Sequence, residues 1–60
     1  MKNKLDKHIE RAYYAIAQGK QINIMDIGKL FNEATADVLQ RGLTVEQAVT
    51  LAVVKYCKEA

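Results

Sequence analysis

The residues of this 60-residue chain that could do chemistry are few and widely separated in the sequence. Its single histidine, His8, and its single cysteine, Cys57, stand near opposite ends, whereas nucleophilic catalysis needs a nucleophile and a base within hydrogen-bond reach. Neither residue has a second cysteine or histidine at the spacing of a zinc site, and one cysteine cannot form an intrachain disulfide. We therefore expect no metal and no cofactor.

Two acidic residues, Asp6 and Glu10, are one helical turn apart, a spacing that could bring two carboxyl groups together for acid–base work. Both also neighbour lysine or arginine, which favours ion pairs on a helix surface. The three glycines are isolated, so the sequence contains no glycine-rich loop to cradle a phosphate. We predict a binding protein and not an enzyme.

Positive charge is concentrated in the first twenty residues, which carry five basic and two acidic side chains, although the net charge of the whole chain is only +2. At 100° per residue, Lys4, Lys7 and Arg11 fall on one side of a helix, almost opposite its apolar face. Tyr14 falls among them and could stack on a nucleic-acid base. This basic side indicates an anionic partner, with Lys4, Lys7 and Arg11 as candidate phosphate contacts.

The elements that must position these residues are helices. Three stretches have the apolar periodicity of amphipathic helices, over about residues 3–18, 27–41 and 44–58. Gly19 and Gly42 follow the first two stretches, and glycine favours the left-handed conformation that ends many helices. Thr44 is a good N-cap for the third and completes a capping box with Gln47. The pattern predicts one small, mainly α-helical domain over residues 1–60.

The segment KQINIM, residues 20–25, is compatible with two structures. Ile22 and Ile24 alternate with polar residues, and this period of two predicts a short strand or extended segment over residues 21–25. Alternatively, the second helix starts at Asn23, which caps it, and the protein is an all-α three-helix bundle.

Small size and an apolar third helix indicate self-association. A chain of 60 residues buries only about 60% of its unfolded surface, so a partner chain commonly stabilises domains of this size. Leu51 and Val54 lie off the main apolar face of the third helix, which suggests that this helix is buried on more than one side. We therefore expect a homodimer.

The longest apolar run has four residues, Leu51 to Val54, whereas a membrane span needs roughly 20. The charged amino terminus, MKNKLDKHIE, lacks the apolar core of a signal peptide. Together with the lone thiol, these features predict a cytoplasmic protein with no membrane contact.

From Lys20 onward, an alternating KQINI is followed by an amphipathic helix, the turn Gly42-Leu43-Thr44 and a helix reading VEQAVTLAVVKY. This order resembles the ribbon-helix-helix family of small bacterial, plasmid and phage repressors, over residues 20–58. In that family a short strand pairs with its twin in the dimer, and the two-stranded ribbon enters the major groove of DNA. The resemblance implies a dimeric DNA-binding regulator of transcription.

The resemblance also implies roles for individual residues. Outward side chains of the ribbon would contact bases, since asparagine and glutamine each pair bidentately with adenine, and a helix N-terminus would approach a phosphate. The implied DNA contacts are Lys20, Gln21, Asn23, Met25 and Thr44. Together with the second apolar side of the third helix, the resemblance predicts a dimer interface of Ile22, Ile24, Val49, Leu51, Val53, Val54 and Tyr56.

The chain departs from the family in three places, the first of which is Ile27-Gly28-Lys29 at the position of the acidic or proline-led start of the first family helix. Asp26 stands where a third inward apolar strand residue is expected, and an additional amphipathic helix precedes the ribbon. The alternative function is therefore a three-helix module that binds or inhibits a protein partner, of the kind that mobile genetic elements encode.

Overall fold

The computed structural model describes residues 4–57. It contains three α-helices, which are Lys4–Ile16 (α1), Ile24–Arg41 (α2) and Val45–Tyr56 (α3). The prediction of a mainly helical protein is confirmed. Residues 3 and 58, at the ends of the predicted first and third helices, lie outside the described residues. None of the described helices is long and apolar enough to cross a membrane.

The second helix begins at Ile24, earlier than the predicted residue 27, and the reason is its cap. Asn23 has an extended backbone, and its side-chain oxygen accepts a hydrogen bond of 3.0 Å from the Met25 N–H. Asp26 adds a negative charge in the first turn, where the helix dipole favours it. Ile24 and Met25 are therefore helical, as the three-helix alternative predicted to within one residue.

The predicted strand over residues 21–25 does not appear as a strand in the described part of the chain. Within this segment Ile22 forms an isolated antiparallel bridge with Cys57, and Asn23 has an extended backbone. This bridge joins the connection that precedes α2 to the residue that follows α3.

Both glycines that were predicted to end a helix have a left-handed backbone conformation. Gly19 has φ of 79° in the turn after α1, and Gly42 has φ of 72° at the end of α2. Residues 42–44 connect α2 to α3. The last of them, Thr44, is the N-cap of α3 and forms the predicted capping box. Its hydroxyl accepts a bond of 3.1 Å from the Gln47 N–H, while the Gln47 side chain accepts one of 3.3 Å from the Thr44 N–H.

The core lies where the three helices meet and is small. Its fully buried side chains come from all three helices and are Ile9, Leu30, Ala34, Ala48, Val49, Ala52 and Val53. Half-buried aromatic rings extend it between α1 and α2, where Tyr13 and Phe31 pack edge to face with ring centroids 5.2 Å apart. Because three of the seven buried residues are alanines, the core supplies little apolar surface per residue.

Candidate interaction surfaces

The structure places four of the predicted DNA-contacting residues together, in the connection before α2 and in its first turn. Lys20, Gln21, Asn23 and Met25 are all exposed there. The side-chain oxygen of Asn23 already accepts the Met25 N–H, although a bidentate pair with adenine needs this oxygen as its acceptor. Asn23 therefore has a structural role in the chain that the sequence interpretation as a base contact did not include.

Thr44, the fifth predicted DNA contact, lies at the other end of the bundle. The 18 residues of α2 separate it from Asn23, a length of about 27 Å at the helical rise. Its hydroxyl is part of the capping box of α3. A single chain therefore does not bring Thr44 to the surface that holds Lys20 and Gln21.

The basic residues of α1 share an outward face. Lys4, Lys7 and Arg11 are exposed, and Tyr14 is exposed on the same side of the helix. The acidic residues of α1, Asp6 and Glu10, are half-buried instead, and they line a groove between α1 and α2 together with Phe31 and Asn32. Positive and negative charges are thus separated around the circumference of α1.

The residues predicted to form the dimer interface divide into two groups. Val49 and Val53 are fully buried in the core of their own chain, because their side of α3 faces α1 and α2, and they have no surface left for a second copy. Ile22 and Tyr56 are half-buried. The exposed members are Ile24 (84%), Leu51 (53%) and Val54 (67%).

The solvent-facing side of α3 carries no charge along its centre. We call this surface the α3 outer face and define it by its four exposed residues, Gln47, Thr50, Leu51 and Val54. Charged side chains occur only at its ends, with Glu46 in the first turn and Lys55 in the last. A helix surface that meets only water usually carries charges on that side, so this pattern is typical of a contact surface.

Leu51 lines two shallow grooves, one on each flank of α3. The first, of about 440 Å³, lies between α2 and α3 and contains the small side chains Ala36 and Ala52, with charged residues around it. The second, of about 350 Å³, runs along the other flank of α3 beside Leu43 and Thr50. The sequence patterns indicated Leu51 but neither groove, because a groove depends on how α2 packs against α3.

An ion pair borders the first groove and connects α3 to α2. The Lys55 ammonium donates a hydrogen bond of 2.7 Å to Glu33 Oε1. This bond lowers the pKa of the Glu33 carboxyl, with a smaller contribution from the Tyr56 hydroxyl, and it raises the pKa of Lys55. Partial burial raises the pKa of Tyr56. The two charges neutralise each other, so the arrangement is suited to holding the helices together.

Within residues 4–57, no three histidine, cysteine, aspartate or glutamate side chains are grouped so that they could hold a metal ion. Comparison of the chain with protein-family models, with curated proteins and with solved structures gives no match.

Proposed function

We propose that this protein is a non-enzymatic helical module that binds another polypeptide through the α3 outer face. The observation that supports the proposal is the exposure of two aliphatic side chains, Leu51 and Val54, at the centre of a helix face without charges. Exposed apolar surface of this kind is typical of protein–protein contacts, whereas a nucleic-acid surface is rich in lysine and arginine.

The energetics of so small a domain favour the same function. A chain of 60 residues has a marginal core, and here three alanines reduce it further. Because Leu51 is 53% and Val54 67% exposed, covering either side chain completely with a partner contributes about 1–2 kcal/mol. A typical total stability at this size is only about 3–9 kcal/mol, so such a contact raises it substantially.

The test is a position-specific photo-crosslink in the cells from which the gene comes. A benzophenone amino acid replaces Leu51, and the matched control carries it at Leu39, which is 70% exposed on α2 and lies outside both grooves. We expect a discrete crosslinked protein band from position 51 and none from position 39. Absence of a band at position 51, or equal bands at the two positions, would remove the proposal.

A second candidate is the DNA-binding regulator, and the charge separation on α1 favours it. Lys4, Lys7 and Arg11 share an exposed face, which a dimer would present twice. DNA contact through this face leaves the three helices intact. A ribbon would instead require Ile24 and Met25 to leave α2. Ile22 would also have to give up its bridge with Cys57 and pair with the same segment of the second copy.

Titration of labelled duplexes at several salt concentrations tests this candidate. Loss of one phosphate contact in Lys7→Ala should weaken binding to all sequences and flatten the salt slope by about one unit. The control is Lys29→Ala, which removes an exposed lysine from α2 and should leave the slope unchanged. Binding weaker than about 10⁻⁴ M at low salt, below ordinary non-specific affinity, would exclude DNA.

A further inference from the structure

We infer that the outward face of α1 binds single-stranded nucleic acid, with phosphates on its basic side chains and a base stacked on Tyr14. We call this surface the α1 basic face and define it by four exposed residues, Lys4, Lys7, Arg11 and Tyr14. The inference rests on the second candidate function, contact of α1 with DNA, and specifies the form of the nucleic acid as an unpaired strand. It does not depend on what the α3 outer face binds.

The α1 basic face presents charge of one sign. Among residues 4–20 the exposed side chains include lysines and an arginine but no aspartate or glutamate. The two carboxylates of α1, Asp6 and Glu10, are half-buried and line the groove towards α2. A surface of uniform positive charge attracts a polyanion, because each phosphate that is bound releases counterions.

The three cations of this face are not neutralised within the part of the chain that the structure describes. Lys55, by contrast, donates to Glu33 at 2.7 Å. Within residues 4–57, no carboxylate lies at ion-pair distance from Lys4, Lys7 or Arg11. Their charges are therefore available for phosphate groups.

Tyr14 presents an aromatic ring that other rings support. It is 67% exposed and packs edge to face on Tyr13, with ring centroids 5.5 Å apart. Tyr13 in turn packs on Phe31, which borders the core. Because this series of rings restrains Tyr14, less side-chain freedom is lost when a base stacks on it.

The aromatic ring of Tyr14 selects an unpaired strand. In a duplex the bases stack on one another and expose only their edges in the grooves, so a tyrosine ring finds no base face to contact. In a single strand a base can leave its neighbours and stack on an aromatic side chain, and any base can do so. Lys4 and Tyr14 are about 15 Å apart along the helix, so the face holds a short strand without reading its sequence.

An anionic membrane is another polyanion that a basic helix could meet. A helix that lies in a membrane interface buries its apolar face at the level of the acyl chains. The apolar side of α1 is packed in the core instead, where Ile9 is fully buried. Only the ring of Tyr14 is left on the outward face, and a nucleic-acid base accounts for it better.

Fluorescence anisotropy of labelled oligonucleotides tests the preference. The probes are an oligothymidylate and an oligouridylate of about ten nucleotides and a duplex of the same length, a site size typical of single-strand binding. At low salt the single strands should bind about 10-fold more tightly than the duplex, the effect of one stacked base. With three phosphate contacts, the logarithmic salt slope on a single strand should be about −2. Binding of either strand supports the inference, and the tighter of the two identifies DNA or RNA.

Two variants separate stacking from charge. Tyr14→Ala should weaken single-strand binding about 10-fold and leave duplex binding unchanged, whereas Tyr14→Phe keeps the ring and should bind as wild type. Lys7→Ala should flatten the salt slope on the single strands by about 0.7 units. Because both positions are exposed, circular dichroism of each variant should retain the helical signal of wild type.

A duplex bound as tightly as the single strands, or Tyr14→Ala binding as wild type, would overturn the inference and leave DNA contact through α1 standing. Binding of every oligonucleotide weaker than about 10⁻⁴ M at low salt would remove both. Binding to phosphatidylserine vesicles, with none to the oligonucleotides, would assign the face to a membrane surface and also overturn the inference. The crosslink from Leu51 tests the polypeptide contact separately, so these results do not affect it.

Discussion

Glu33 and Lys55 are 22 residues apart in the sequence, yet their side chains form a bond of 2.7 Å that joins the middle of α2 to the end of α3. It lowers the pKa of Glu33 and raises that of Lys55. The stabilising contribution of Glu33 is therefore present above its unfolded pKa near 4.5 and is lost as the pH falls through the lowered value. The contribution of Lys55 is present below its unfolded pKa near 10.5 and is lost only as the pH rises through the raised value.

We expect Glu33→Gln to reduce the free energy of unfolding at neutral pH, and this difference from wild type to disappear in acid. Urea denaturation of wild type, Glu33→Gln, Lys55→Gln and the double variant isolates the coupling between the two side chains. The coupling should stabilise the fold at pH 7 and be lost as the pH falls through the lowered pKa of Glu33 and its carboxyl takes up a proton. A coupling that is independent of pH would contradict the ion pair.

The N-cap of α2, Asn23, should contribute measurably to the free energy of unfolding. Asn23→Ala removes the oxygen that accepts the Met25 N–H and should lower the free energy of unfolding by about 1 kcal/mol. Asn23→Asp, which retains a capping oxygen, should behave nearly as wild type. Thermal or urea unfolding provides the measurement, and Gln21→Ala, at an exposed position two residues earlier, is the control. An Asn23→Ala protein as stable as wild type would favour the ribbon over the capped helix.

Two glycines should respond in opposite directions to the same substitution. Gly42 has φ of 72°, so Gly42→Ala forces an alanine into the left-handed region and should cost about 1 kcal/mol. Gly28 lies inside α2 with open space around it, and Gly28→Ala should stabilise the helix by about 1 kcal/mol. Denaturation midpoints of the two variants are sufficient to test this. The same sign for both would show that one of the two backbone conformations is wrong.

The core should be sensitive because it is small. Leu30 is fully buried between the helices, and Leu30→Ala should cost about 2–5 kcal/mol, which is comparable with the whole stability of a chain of this length. We expect this variant to be largely unfolded by circular dichroism at 25 °C. Leu39→Ala removes the same atoms from an exposed position of the same helix and should leave the melting curve almost unchanged.

The sequence predicted those features that depend on neighbours within a few residues. Apolar periodicity located the three helices, Thr44 and Gln47 formed the expected capping box, and Gly42 ended α2. The start of α2 was ambiguous because two isoleucines, Ile22 and Ile24, are too few to distinguish a period of two from the first turn of a helix. The side chain of Asn23 decided in favour of the helix.

Features that depend on distant parts of the chain were not predictable. Periodicity placed Leu51 off the main apolar face of α3, but it did not show that Val49 faces the helices of its own chain and not a second copy. The groove beside Leu51 and the bond between Glu33 and Lys55 likewise require the relative placement of α2 and α3. Periodicity gives the faces of each helix but not which face meets which neighbour.

The bridge between Ile22 and Cys57 has a consequence for the order of folding. Bringing together two residues that enclose a chain segment of about 35 residues costs roughly 3 kcal/mol in loop-closure entropy, more than one isolated bridge returns. The three-residue turn between α2 and α3 closes a much shorter loop, so we expect the helical hairpin to form first and to carry Cys57 towards Ile22. The bridge should therefore form late, and a fluorophore attached to the Cys57 thiol should report the completion of folding and not its nucleation.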